Sequence, residues 1–339
     1  MSYVENGANN KDLGAEQEED GYSIRSLSEI KGKVAEVCQF KSGRRQILAF
    51  YSGSSQDKWV LTELTPILPH LTERQSGVEF IWQINKKTIQ HEGFWFSSLL
   101  QCYQNLVKFP DGNNIIGDLY PYLPLSRQKD FISNIMKLAL SFQNESSKRM
   151  ISNLILHSKV NQTAIRTFLE ISWYDYPYFL ECFGVLLHVT DKAISKRLIS
   201  KIPIVESFLF SEMLAQVITQ SSSYILDYLL ERFILQIHSM SFSYNQYPIV
   251  IGFIVSCSIK DLLVVVEQIE LGIRENPKLP PFFFDLLATL LIALPTTHRR
   301  AFIMRNREFF EKNIPNMLES HKKYLMVIFN RTEYENIFN

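Results

Sequence analysis

Cysteine and histidine are the residues best suited to metal or nucleophilic chemistry, and in this chain they are widely spaced. The cysteines lie about 60 to 80 residues apart, without the close pairs typical of zinc and thioredoxin-type sites. None of the seven histidines is three or four residues from another, so no two share a helix face as metal ligands do. The sequence therefore predicts no metal site and no cofactor. It predicts reduced core residues at Cys38, Cys102, Cys182 and Cys257.

Common catalytic motifs are also absent from the sequence. It contains no GxSxG nucleophile turn, no GxGxxG or GxxxxGK[ST] phosphate loop and no HExxH zinc helix. We therefore expect a binding protein rather than an enzyme, and no small-molecule substrate is indicated.

An aromatic run at residues 173–179, WYDYPYF, has the most unusual local composition. Tyrosine and tryptophan dominate interface hot spots, so this run is a candidate anchor for a protein partner. The alternative is a packed corner between helices, in which Asp175 caps the following helix. The candidate partner-binding residues in this run are Trp173, Tyr174, Tyr176 and Tyr178.

A second candidate anchor is Trp95. Phe96 belongs to an apolar helical stripe, and Trp95 points about 100° away from it on a helix, which predicts an exposed ring. Packing against a second surface would explain the same pattern.

Residues 298–331 have a local excess of basic side chains in a chain whose formal net charge is zero. A solvated face that caps a stack of helices explains this excess. A patch that binds nucleic acid or an acidic protein segment is the alternative. The residues proposed for such a patch are Arg299, Arg300, Arg305 and Arg307.

Amphipathic helices are the predicted elements that position these residues. Apolar side chains recur at helical intervals from Ser126 onward, and the chain has only 13 glycines against 24 phenylalanines. One clean stripe comprises Leu226, Leu229, Leu230, Phe233 and Ile237. Late helices are predicted to begin at or just after Pro203, Pro248, Lys260, Pro280, Thr296 and Pro315.

The region before Ser126 is less regular. Residues 1–21 are acidic and predicted to be a disordered tail. Residues 22–124 are predicted to be helical. A capping box at Ser26 and Glu29 opens the first helix, the KSGRR segment breaks it, and Pro110-Asp111-Gly112 ends a helix over 93–109. A short hairpin from Ile47–Tyr51 and Val78–Ile84 is the alternative there. Residues 125–339 are predicted to be a helical-repeat array with a basic C-terminal cap.

Helix starts recur about every 15 to 22 residues, and pairs of helices about every 35 to 45. In this spacing the chain resembles the armadillo/HEAT class of helical-repeat solenoids over roughly residues 93–331, although no repeated residue signature accompanies it. The predicted fold class is therefore all-α, and the resemblance implies a scaffold or adaptor that binds protein partners. The alternative is a chromosome- or RNA-associated protein that uses the basic patch. Reduced cysteines and the lack of a signal peptide or long apolar span predict a reducing interior, cytoplasm or nucleus, without membrane insertion.

Overall fold

The computed structural model describes residues 24–88, 93–276 and 280–314, with 319, 322, 323 and 327 beyond them. Every regular element in these residues is a helix. The acidic tail at 1–21 and most of the helix predicted after Pro315 lie outside them. The chain divides into two compact units between Pro124 and Leu125.

The N-terminal unit is built from short α-helices joined by 3₁₀ turns. Its helices are α1 Val34–Val37, α2 Lys41–Phe50, α3 Lys58–Leu64, α4 Leu68–Leu71, α5 Gln75–Lys87, α6 Gly93–Gln101, α7 Tyr103–Leu106 and α8 Pro110–Leu119. Within this unit α2 packs on α5 and α5 packs on α8, while α1 packs on α3.

The C-terminal unit contains the longer helices. They are α9 Leu125–Ala139, α10 Glu145–Ser158, α11 Gln162–Leu169, α12 Leu180–Val189, α13 Lys192–Ser200, α14 Phe208–Gln220, α15 Ser223–Phe233, α16 Ile237–Met240, α17 Tyr247–Ser256, α18 Ile259–Glu275, α19 Phe283–Ala293, α20 Thr296–Arg305 and α21 Arg307–Asn313.

Helices of the C-terminal unit pack in two rows. In the first row α10, α12, α14, α17 and α19 each pack on the next. In the second row α9 packs on α11, α13 on α15, and α16 on α18. The predicted stripe from Leu226 to Ile237 is buried throughout, so its apolar face joins neighbouring helices into a continuous core. Each buried Leu or Phe contributes about 1.5–3 kcal/mol.

Polar caps fix where several helices of the C-terminal unit begin. The side chains of Asn144, Asp191 and Ser258 accept hydrogen bonds from backbone N–H groups in the first turns of α10, α13 and α18. Such a cap stabilises a helix by about 1 kcal/mol. These caps stand at the polar breaks between the apolar helical stripes, which is why helix positions there are predictable.

A helix start at Pro203 was expected, and that prediction is wrong. Residues 202–207 form no helix, and α14 begins at Phe208 after the Ser207 side chain caps its first turn. Side chains from other helices donate hydrogen bonds to backbone carbonyls of this segment. Arg232 donates to the Ile202 carbonyl at 2.8 Å and Gln246 to the Val205 carbonyl at 3.3 Å. Those bonds replace the ones that a helix would have supplied.

In the N-terminal unit two glycine-containing segments were interpreted as breaks, and both are helical. KSGRR forms the first half of α2, and Pro110-Asp111-Gly112 forms the first turn of α8, with proline where its missing N–H does no harm. These glycines are required by close packing. A Cβ on Gly43 or Gly112 would lie closer than 3.0 Å to a preceding backbone carbonyl, of Val37 or Leu106 respectively.

Three other local predictions in this unit need correction. The hairpin alternative is wrong, because Val78–Ile84 lies within α5. The helix predicted over 93–109 is interrupted at Cys102, between α6 and α7. Ser26 makes no side-chain cap, although Glu29 accepts a hydrogen bond from the Arg25 N–H at 3.0 Å. Only a 3₁₀ turn, Leu27–Ile30, follows Ser26.

Candidate functional site

The thiols are free and lack the environment of reactive cysteines. Burial raises the pKa of the Cys38, Cys182 and Cys257 thiols to about 12, and also raises the pKa of Cys102. Thiols with raised pKa values stay protonated and are poor nucleophiles and metal ligands. Within the described residues, no group of three His, Cys, Asp or Glu side chains could hold a metal ion.

The aromatic run at 173–179 separates into buried and exposed members. Trp173 is 2% exposed, and its indole N–H donates to the Phe168 carbonyl at 3.0 Å. The Tyr174 hydroxyl donates to the Leu198 carbonyl at 3.0 Å, and burial raises its pKa to about 12. The expectation that Trp173 is a surface anchor is therefore wrong, because its ring is buried. Tyr174 is partly exposed, although its hydroxyl is hydrogen-bonded within the protein, and it stays a candidate.

Tyr176 and Tyr178 are partly exposed and stay candidates for partner contact. The Lys148 ammonium lies 5.2 Å from the centre of the Tyr178 ring, within the range of a cation–π contact. Asp175 is exposed and does not cap the following helix, which has Phe179 at its N-cap position. The packed-corner alternative is thus correct for Trp173 but wrong for Asp175.

Trp95 is fully buried, with 0% of its surface exposed, so the predicted exposed anchor is wrong. Its neighbour Phe96 is also buried, at 6% exposed. Helix α6 therefore has core contacts on more than one side. Trp95 and Phe96 still point in different directions from the helix. Both are buried because a second packing surface covers Trp95.

The four arginines proposed as a basic patch are largely engaged in contacts within the protein. Arg305 donates to the buried carboxylate of Glu270, with Nη2 at 2.8 Å and Nε at 3.0 Å from Oε1. Arg307 pairs with Glu311 on its own helix at 2.6 Å. Arg299 donates to the Leu294 carbonyl at 3.1 Å, and Arg300 is exposed on α20. Two of the four charges are therefore neutralised locally.

A surface that the sequence analysis missed lies on helices α2, α5 and α8 of the N-terminal unit. Small buried residues recur about every 35 positions at the start of these helices. They are Gly43, Gly77, Gly112 and, in the C-terminal unit, Ser147 of α10. This recurrence is the residue signature of the repeat. It was hidden because the glycines resemble loop residues.

Positions that follow each small residue are equivalent from helix to helix. The second residue after it is exposed in all three helices, as Arg45, Glu79 and Asn114. On α5 the exposed row continues to the partly exposed Trp82 and to Lys86, whose ammonium lies 3.2 Å from the centre of the Trp82 ring. We call these five side chains the N-terminal face.

The charge on the N-terminal face is mixed. Asp111 and Asp118 of α8 lie near Lys86, and both carboxyl pKa values are raised, mainly by burial, while Lys86 opposes the shift. Glu79 adds to the shift of Asp111. The face therefore combines a flat aromatic ring, hydrogen-bonding side chains and cations with carboxylates close by.

The first row of the C-terminal unit differs in charge from the N-terminal face. Helices α12, α14, α17 and α19 contain no lysine or arginine. The carboxylates on these helices are Glu181, Glu212 and Asp285, and other accessible positions include the apolar Val255 and Ile292. This part of the row lacks the cations that phosphate contacts require.

No protein-family model and no curated protein matches the chain. Solved structures do match it in fold. The crystal structure of PUF-8 in complex with PBE-RNA superposes with a TM-score of 0.70 at 13% identity, over 93% of this chain and 95% of that one. The Puf3 RNA-binding domain bound to Cox17 RNA 3′ UTR recognition sequence site A has a TM-score of 0.60 at 13% identity, over 90% and 97%. Its complex with site B has a TM-score of 0.60 at 14% identity, over 89% and 96%.

These similarities define the fold class as a helical-repeat solenoid, which confirms the all-α helical-repeat prediction and the class resemblance. At 13–14% identity they establish fold alone. In the part of the chain that is described, no helix has both the length and the apolar character needed to cross a bilayer.

Proposed function

We propose that this protein binds single-stranded RNA through the N-terminal face. The main support is the repetition of exposed side chains at equivalent positions on α2, α5 and α8. In PUF repeats one base is recognised per helical repeat by two or three side chains. The similar solved structures of PUF-8 and Puf3 are complexes with RNA. For these reasons we favour the nucleic-acid alternative over a purely protein-binding scaffold.

Each residue of the face has chemistry that suits unstacked bases. Trp82 offers a partly exposed indole on which a base can stack once the Lys86 ammonium, which lies over that ring, turns to a backbone phosphate. The Arg45 guanidinium can stack or donate hydrogen bonds, and the Asn114 amide both donates and accepts. The Glu79 carboxylate accepts hydrogen bonds from base amino groups.

One carboxylate of the face and two beside it restrict how RNA would bind. Glu79, Asp111 and Asp118 oppose phosphate, so long-range attraction contributes little. Binding then depends on stacking and hydrogen bonds to bases, with two phosphate contacts from Arg45 and Lys86. Lys87 does not add a third contact, because its ammonium is already hydrogen-bonded to the Leu48 and Tyr51 carbonyls.

The proposal is tested with Trp82→Ala in fluorescence anisotropy with a labelled pool of random ten-nucleotide RNA. Loss of one base–aromatic stack costs about 1–3 kcal/mol, which is about a fivefold to hundredfold weaker affinity. Trp82→Phe retains a stacking ring and should bind within a few-fold of the wild type.

A matched control is Trp59→Ala. Trp59 lies on α3, outside the N-terminal face, and Lys31 lies 5.9 Å from its ring centre, so it is a second lysine–tryptophan pair of the same unit. This variant should bind RNA normally. Two results would show that the N-terminal face is not the RNA site. In one, Trp82→Ala binds RNA as well as the wild type does. In the other, Trp59→Ala and Trp82→Ala lose the same amount of RNA affinity.

We propose protein binding as a second function. The sequence predicts that the protein works in a reducing compartment, the cytoplasm or the nucleus. Tyr176 and Tyr178 are partly exposed members of the aromatic run, as Tyr174 is, and we take these two as the anchors. The test compares partners captured from a lysate by the wild type and by a variant that combines Tyr176→Ala with Tyr178→Ala. Partners that bind the wild type and are lost in the variant would support this function. Identical partner sets would exclude these anchors.

A further inference from the structure

Four aromatic side chains meet where three successive first-row helices of the C-terminal unit begin. Phe208 is the first residue of α14, Tyr247 is the first of α17, and Phe282 immediately precedes α19. Tyr244 lies in the turn before α17 and stacks on Phe208, with ring centres 5.3 Å apart. Tyr247 stacks on Phe282 at 5.0 Å, and Tyr244 meets Phe282 edge-on at 5.7 Å. We call these residues the aromatic cluster.

The aromatic cluster is accessible and already ordered. Tyr244 is 59% exposed, and the other three rings are partly exposed. Contacts between the rings hold them in one arrangement before any ligand arrives. A partner would therefore lose little affinity to the ordering of these side chains.

Two carboxylates lie beside the aromatic cluster. Glu212 is one helical turn beyond Phe208 on α14, and Asp285 is one turn beyond Phe282 on α19, and both are exposed. Burial raises the pKa of Tyr247, and Asp285 and Glu212 raise it further, so both carboxylates are within electrostatic reach of its hydroxyl.

Among the described residues, the three helices that begin at the aromatic cluster contribute no cation to it. Helices α14, α17 and α19 contain no lysine or arginine. The nearest cation in the sequence before Phe282 is Lys278, which lies outside the described residues. The described surface is thus aromatic and negatively charged.

We propose that the aromatic cluster, with Glu212 and Asp285, is a docking site for an arginine-containing basic segment of a protein partner. A guanidinium stacks on a tyrosine face through cation–π attraction and pairs with a carboxylate through two parallel hydrogen bonds. The exposed Tyr244 ring supplies the stacking face, and the two carboxylates supply the opposite charge. Arginine suits this site better than lysine, because its planar group can make both contacts at once.

The carboxylates also decide against RNA as the occupant. Bases stack on aromatic rings as well, but every nucleotide brings a phosphate that Glu212 and Asp285 would repel. This docking site is therefore separate from the proposed RNA-binding face in the N-terminal unit, and neither proposal depends on the other.

The test uses a fluorescein-labelled peptide of four Arg-Gly repeats, measured by anisotropy with the full chain. A peptide with citrulline in place of arginine keeps the planar group and removes the charge, and we expect it to bind about tenfold more weakly. Tyr244→Ala should weaken binding of the arginine peptide by about fivefold or more. Glu212→Gln with Asp285→Asn should weaken it further and flatten its salt dependence.

Matched controls separate docking from general attraction to acidic surfaces. Tyr122→Ala removes a tyrosine that is 54% exposed in the N-terminal unit, and Glu267→Gln removes an exposed carboxylate of α18. Both variants should bind the arginine peptide as the wild type does. Equal affinity for the arginine and citrulline peptides, or unchanged binding by Tyr244→Ala, would overturn the proposal. Loss of RNA binding in Tyr244→Ala would overturn it too, since RNA would then be the occupant.

Discussion

Substitution of Gly112 by alanine tests the packing rule that the repeat imposes on the N-terminal unit. A Cβ at this position would lie closer than 3.0 Å to three backbone atoms of Leu106, so α8 would have to move away from the end of α7. Overpacking of this kind costs about 1–3 kcal/mol. Alanine recovers about 1 kcal/mol through its higher helix propensity. Since backbone atoms cannot rotate aside as a side chain can, we expect a net loss of about 1–2 kcal/mol.

Two other glycines serve as controls for Gly112→Ala. Gly93 in the same unit has nothing within 4 Å of an added Cβ, and Gly184 in the middle of α12 would meet only Val217 methyl groups at 3.4 Å and beyond. Gly184→Ala should stabilise the protein by about 0.5–1 kcal/mol, and Gly93→Ala should be neutral or slightly stabilising.

The assay for these variants is urea unfolding followed by tryptophan fluorescence. Three of the four tryptophans, at positions 59, 82 and 95, belong to the N-terminal unit, so the signal reports mainly on that unit. Because a chain with two units need not unfold in one step, the midpoint of the N-terminal transition is compared for the Gly112 and Gly93 variants. The C-terminal transition, which Trp173 reports, is compared for Gly184→Ala. A midpoint for Gly112→Ala at or above that of Gly93→Ala would refute the close-packing argument.

Two further predictions concern charge. Glu270→Gln should lower the unfolding free energy by about 1–2 kcal/mol, measured by urea unfolding. The reason is that the buried carboxylate accepts charge-assisted hydrogen bonds from Arg305 and Asn306. An unchanged midpoint would show that this network contributes nothing. RNA affinity should rise as the pH is lowered into the range where Asp111 and Asp118 take up protons, at constant ionic strength. The raised pKa values of Asp111 and Asp118 mean that these carboxyls lose their repulsive charge at a higher pH than ordinary aspartates. Asp118→Asn should reduce this pH dependence, and an identical profile in that variant would contradict the assignment.

Much of the C-terminal unit was predictable from the sequence, because its helices bury one regular apolar stripe each and begin at polar caps. The start at Pro203 was not predictable, since the non-helical segment there depends on side chains of Arg232 and Gln246, far along the chain. In the N-terminal unit, Gly43 and Gly112 were misinterpreted as loop residues. Their real role is visible only when the preceding segment is seen to pack against them.

Residues of the candidate sites were less predictable than the helices. Periodicity assigns a residue to one side of a helix, but it does not say how many sides are covered, and for this reason Trp95 was expected to be exposed. The basic excess near the C-terminus was visible in composition. The pairing of Arg305 with Glu270 was not, because the two residues belong to different helices. The N-terminal face could have been found from the spacing of its small residues.

The salt dependence of RNA binding tests the central proposal most directly. Each phosphate contact to a single strand contributes about −0.7 to the slope of log affinity against log salt concentration. Arg45 and Lys86 therefore predict a slope of about −1.4, with Trp82→Ala lowering affinity and leaving the slope unchanged. The four arginines of the C-terminal patch would instead give about −2.8. Two results would contradict RNA recognition by the N-terminal face. One is undetectable binding. The other is a steep slope that disappears on charge reversal at Arg299, Arg300, Arg305 and Arg307.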